Sequence, residues 1–132
     1  MHMVAFMYPA EPGATFNRDH FIDVHLPMGL YLTCKHLGIQ PEKLVVYAPT
    51  RAGDGQSPAT TFCAISSVFF ATEADARTFC TLFEHEEAAR RLSADFANYT
   101  PHAPDVIMAE VTELTDVEEM IARGEQIPDT AA

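Results

Sequence analysis

Two histidines five residues apart, His20 and His25, stand just before Pro27 in the stretch TFNRDHFIDVHLPMG, residues 15–29. Imidazole titrates near neutral pH, so it serves as a general acid or base with little perturbation. His25 is the stronger candidate. Phe21 lies four residues before it, Met28 three after and Leu32 seven after, which puts all of them on one apolar helix face. An apolar setting lowers the pKa of an imidazole and leaves a neutral base at pH 7. The same position suits a structural histidine bonded to a nearby carbonyl, and both readings stay open. A proline within a helix leaves the carbonyl four residues back, here that of Asp23, without its donor and disfavours helical geometry at Leu26. A kink is therefore expected, with the freed Asp23 carbonyl near His25. The spacing of His20 and His25 is not that of a helical metal pair, and Asp19 and Asp23 read as an exposed flank. No metal site is expected.

Phenols come next. Tyr8, Tyr47 and Tyr99 lie at or beside strand ends. A buried phenol wants a hydrogen-bond partner, and in a cavity it binds a ligand oxygen or stabilises a developing enolate. Each also suits a core or interface position. Ser66 and Ser67 alternate faces in one long strand, and neither has the turn that activates a serine nucleophile. Arg51 lies in a polar loop and reads as solvated. There is no glycine-rich phosphate loop, no CxxCH and no Walker pattern, so no cofactor is expected.

The elements that position these residues follow from periodicity. A strand over 3–8 leads into the Pro- and Gly-rich PAEPGA. A helix capped by Thr15 or Asn17 runs to Leu37, with Gly38 as its stop. LVVYA, 44–48, is a short strand, and PTRAGDGQSPA is a loop. TTFCAISSVFFA, 60–71, is a long strand without charge on either face. Thr72 opens a helix, a second helical stretch covers about 85–97, and DVIMAEVTEL is the last strand. The acidic tail holds at most a short helical turn near Val117–Ile121, or is disordered.

Composition limits the partners. Eight basic and nineteen acidic residues give a formal net charge of -11, which argues against nucleic acid and anionic membrane surfaces. Cys34, Cys63 and Cys80 are odd in number and lack CxxC spacing, so buried free thiols are expected rather than zinc or disulfides. No signal peptide or membrane-length apolar run is evident, and a cytoplasmic location is expected.

The order β-α-β-β-α-β predicts an α+β protein: a ferredoxin-like split βαβ domain over residues 1–113, with a four-stranded antiparallel sheet, followed by an acidic tail over 114–132. Val4, Phe6 and Tyr8 face one side of the first strand, while Met3, Ala5 and Met7 face the other. Both sides are apolar, so the sheet face without helices needs a cover. A second copy supplies it economically, giving a homodimeric α+β barrel with a cavity between facing sheets. In that cavity His25 and Tyr8 are the candidate catalytic residues. Phe6, Phe21, Met28, Tyr47, Ser66 and Tyr99 are candidate ligand contacts.

The segment MYPAEPGATFNRDHFIDVHLPM resembles the N-terminal signature of the EthD family. The matching positions are Tyr8, Pro9, Pro12, Gly13, Phe16, His20, Phe21, His25, Pro27 and Met28. LSADFANYTPHAPDVIMAEV is similar to that family's closing segment, in which Asp, an aromatic and Thr precede the last strand. His20 and Phe21 stand where two tyrosines are common, Asn17 where Asp is common, and Met28 where Leu is usual. The resemblance implies a dimeric α+β barrel that takes a small, largely apolar organic compound. It is compatible with cofactor-independent proton transfer: isomerisation, cyclisation or decarboxylation in secondary metabolism or degradation. A non-catalytic ligand carrier and a structural homodimer are the alternatives.

Overall fold

The computed structural model describes residues 1–11, 15–59 and 61–130. Pro12 and Gly13 of the family-like segment, and Thr60 at the expected start of the long strand, lie outside them. The strands are β1 (His2–Pro9), β2 (Lys43–Tyr47), β3 (Phe62–Phe70) and β4 (Asp105–Glu110). They form one antiparallel sheet in the order β2-β3-β1-β4. This is the ferredoxin-like α+β arrangement that the element order predicts.

Alternation along the strands decides the layers. Val4, Phe6 and Tyr8 of β1 pair with Val68, Ser66 and Ala64 of β3, and this face carries the helices. Met3, Met7, Ile65, Val45 and Tyr47 occupy the alternate positions and form the other face. Two core clusters tie the helices to the sheet, one around Val4, Val68, Phe70 and Ala76, the other around Tyr8, Phe21, Ala64 and Tyr99. A third, Leu32, Leu82, Ala88 and Leu92, joins the helices to each other.

The first helical segment begins where Asn17 accepts a hydrogen bond from the His20 N–H at 3.1 Å. It runs as α1 (Arg18–His20), a π-helical turn (Phe21–His25) and α2 (Leu26–Leu37). Gly38 ends it at φ +66°, where a left-handed cap favours glycine, and its N–H donates to the Cys34 carbonyl. The expected departure of Leu26 from helical geometry does not occur. Leu26 keeps helical geometry, at φ −63° and ψ −46°, and its N–H donates to Phe21, five residues back. Pro27 falls in the first turn of α2, where a missing donor matters little. The wide turn relieves the clash between a proline ring and the preceding carbonyl by accommodating one extra residue. It also shifts the apolar stripe. Ile22 and Val24 are exposed.

The second half comprises α3 (Glu73–Phe79), capped by Thr72, a 3-10 turn (Leu82–Glu84), α4 (Glu86–Asp95) and a further 3-10 turn (Phe96–Asn98). Beyond β4 the Val111 N–H donates to the Met1 carbonyl and Glu113 pairs with Lys43. The tail then forms α5 (Val117–Glu125), longer than the single turn expected, with Asp116 as its cap. Cys34 and Cys80 are exposed and Cys63 is half-buried, all three as free thiols, so the expected burial is not found. Cys63 packs at the edge of the Tyr8–Phe21 cluster, whereas Cys80 lies in the turn after α3. No helix among the described residues is long and apolar enough to cross a membrane.

Candidate active site between sheet and helices

A cavity of about 110 Å³ lies between the sheet and its helices, within one chain. Phe6, Tyr8 and Ser66 line it from the sheet and His25 from the π-helical turn, with Phe79 and Phe96 among the other walls. The expected cavity lay between two facing sheets. Tyr8 and Phe6 turn to the helix side of β1, the same side as His25, so these candidate residues gather in the cavity within one chain.

His25 is held by hydrogen bonds on both ring nitrogens. Its Nδ1 lies 3.0 Å from Asp95 Oδ2, and its Nε2 lies 3.2 Å from the Tyr99 hydroxyl. It stacks on Phe21 at 5.6 Å between centroids. Its partner is therefore not the Asp23 carbonyl, which the sequence suggested. Asp95 also takes His20 Nε2 at 2.8 Å and the Asn98 amide at 3.0 Å, both on Oδ1. A π-turn brings residues five apart onto one face, so His20 and His25 reach the same carboxylate.

These contacts set the direction of each bond. An ionised carboxylate only accepts, so Asp95 fixes the proton of neutral His25 on Nδ1. The bare Nε2 then accepts from Tyr99. With that proton engaged, Tyr99 oxygen accepts from Tyr8, at a longer 3.4 Å. The chain Tyr8–Tyr99–His25–Asp95 thus ends at Tyr8, a residue of the cavity lining, whose phenol oxygen keeps a lone pair.

Burial and neighbouring charge set the protonation states. Burial pushes the Asp95 carboxyl up, but hydrogen bonds from Asn98, His20 and His25 outweigh it and hold the group below its ordinary value. Burial lowers the His25 pKa, and the hydrogen bond and charge of Asp95 only partly restore it. Burial raises Tyr8 to about 12 and raises Tyr99 as well, so both phenols keep their protons at neutral pH. In this arrangement the unprotonated nitrogen belongs to His25, and neither phenol is ionised. A folded-state pKa below the unfolded value means the folded chain binds fewer protons, so this contribution to stability is complete above about pH 6.5 and is lost as pH falls below it. The expected NMR titration of the His25 ring has its midpoint below 6.5. A midpoint at or above that value would exclude a buried neutral base.

The other candidate residues divide. Phe6, Phe21, Ser66 and Tyr8 line the cavity with His25. Tyr99 stands behind His25, not on the cavity wall. Met28 packs on the Leu32–Leu82–Leu92 cluster. Tyr47 is half-exposed on the opposite sheet face, because its alternation puts it there. Asp95 and the role of His20 escaped the sequence reading. Ala88, Leu92 and Asp95 recur at helical spacing, and a carboxylate on a buried stripe requires partners. Among the described residues no cluster of three His, Cys, Asp or Glu side chains is arranged to hold a metal.

No protein-family model matches the chain, and no curated protein matches it significantly. Solved structures do match. An EthD-like protein from Ralstonia eutropha superposes with a TM-score of 0.69 at 21% identity, covering 88% of this chain and 96% of that one. An ethyl tert-butyl ether D (EthD) family protein from Bacillus halodurans gives 0.50 at 12% identity, covering 84% and 97%. Over nearly its whole length, the chain has the fold of EthD-like proteins.

Proposed function

We propose that the chain binds a small, largely apolar organic compound in the cavity between sheet and helices and moves a proton on it without a cofactor. The observation that carries this reading is the polarised chain from Asp95 through His25 and Tyr99 to Tyr8. A ligand C–H next to a carbonyl gives its proton to the Tyr8 oxygen. The Tyr8 proton passes to Tyr99, and that of Tyr99 to His25 Nε2. The C–H electron pair stays on the ligand as an enolate, and the imidazolium is balanced by Asp95. Return of the proton at another atom completes an isomerisation or prepares a cyclisation. The test is deuterium uptake from D₂O by enolisable cyclic ketones, read by mass spectrometry. Exchange by the wild type that is lost in His25→Ala supports the reading, whereas saturable binding without exchange favours a ligand carrier.

The assembly belongs to the same proposal. The sheet face opposite the helices carries Met3, Met7, Ile65, Val45 and Tyr47, and Ile107 at the edge is exposed. A second copy of the chain, packed sheet to sheet, removes this surface from water. Sedimentation at micromolar concentration is expected to give a dimer, and a monomer would exclude the pairing. The chain is expected to work in the cytoplasm.

A further inference from the structure

Ser66 sits in the middle of β3, opposite Phe6 of β1, and faces the cavity. It is 1% exposed, and its Oγ has no hydrogen-bond partner among the described residues. Buried hydroxyls are nearly always paired, so this one calls for an explanation. Its surroundings do not supply a partner. Thr33, another hydroxyl of the lining, donates to the Gly29 carbonyl at 2.7 Å. Tyr8 carries its hydroxyl into the helix layer, where it meets Tyr99. Phe6, Val68, Phe79 and Leu82 are apolar. A trapped water needs two to four polar partners, and on the sheet floor it finds Ser66 among hydrocarbon.

We infer that Ser66 is a second polar anchor of the ligand site, binding one oxygen of a single-ring compound whose other oxygen, across the ring, meets Tyr8. This deepens the ligand-site reading above and rests on it. Two dimensions support a single ring. A dry apolar cavity of about 150 Å³ holds benzene, and this one, at about 110 Å³, is of that order. Ser66 and Tyr8 are diagonal neighbours on adjacent strands, about 7–8 Å apart at the backbone. The serine is short and stays on the sheet, while the tyrosine reaches outward. The two oxygens are thus at different depths, separated by a distance that one small polar group does not bridge.

The experiment uses three probes of similar size: toluene, p-cresol and 4-hydroxybenzaldehyde, carrying no oxygen, one and two. Binding to wild type and to Ser66→Ala is measured by ligand-observed NMR titration, alongside thermal unfolding of the unliganded proteins. The expected wild-type order places 4-hydroxybenzaldehyde tightest and toluene weakest. Ser66→Ala is expected to weaken 4-hydroxybenzaldehyde about tenfold and to leave toluene unchanged. It is also expected to unfold at an equal or higher temperature, since it removes an unpaired buried hydroxyl. Equal affinity of both proteins for 4-hydroxybenzaldehyde overturns the anchor while leaving the chemistry at His25 intact. A lower unfolding temperature for Ser66→Ala also overturns it, because the hydroxyl then has a structural partner. Failure of all three probes to bind the wild type overturns the ligand site itself, and the anchor with it.

Discussion

Replacing His25 by alanine is expected to slow deuterium exchange of a cavity-bound ketone by about 10²–10⁴-fold, the range a positioned general base supplies. The size follows from the position of the ring. It is the basic group between two phenols that burial keeps protonated and a carboxylate that serves as its counter-ion. Without it, Tyr99 loses its acceptor and the proton path ends inside the protein. The fold is expected to persist, because Asp95 keeps His20 and Asn98 as donors. Lost stacking on Phe21 and an opened space beside Tyr99 cost about 1–3 kcal/mol, measured by denaturant unfolding. Tyr8→Phe separates two routes. If the proton enters through the Tyr8 hydroxyl, this variant loses exchange to a similar degree while Asp95, His25 and Tyr99 stay in place. Full exchange in Tyr8→Phe would mean that the ligand meets His25 directly, and full exchange in His25→Ala would remove the mechanism altogether.

The elements of this fold were largely readable because their signals are local. β3 shows strand alternation, Thr72 and Asn17 cap helices, and Gly38 terminates one. The four-stranded antiparallel sheet followed from the β-α-β-β-α-β sequence, and its apolar faces from the residues alternating along the first and third strands. The site was readable only in part. His25 and Tyr8 stood out as a titratable ring and a phenol on apolar faces. Their connection did not, since it runs through Asp95 and Tyr99, some seventy residues away in sequence. The π-turn was hidden for a different reason. Pro27 announced a disturbance, but whether a helix kinks or widens depends on what packs against it. Here Phe21 and His25 are both held from the far side by Tyr99. A standard helical projection separates His20 from His25, whereas the wide turn joins them. The cavity inside one chain was not legible, because apolar patterning reveals which sheet faces are covered, not where the packing leaves space.

Asp95→Asn tests the direction of the proton chain without changing its shape. Three donors converge on this side chain, two at Oδ1 and one at Oδ2. An amide has one oxygen and one NH₂, so one side must face a mismatch. The oxygen is expected to stay where two donors meet, at His20 and Asn98, which turns the NH₂ toward His25 Nδ1. His25 must then accept at Nδ1 and carry its proton on Nε2. That reverses the next two bonds: His25 donates to Tyr99, Tyr99 to Tyr8, and Tyr8 offers a proton to the cavity in place of a lone pair. A site that donates does not remove a proton, so exchange is expected to fall by about 10²–10⁴-fold. An apolar probe such as toluene should bind as before, since the cavity walls are unchanged. The reversal has its own signature in the ¹⁵N shifts of the His25 ring, where the protonated nitrogen moves from Nδ1 to Nε2. Retention of the Nδ1 proton together with full exchange would show that Asp95 sets neither the tautomer nor the direction of transfer. Loss of exchange with an unmoved proton would reduce its part to the charge that balances the imidazolium. Only the two changes together make Asp95 the group that orients the base.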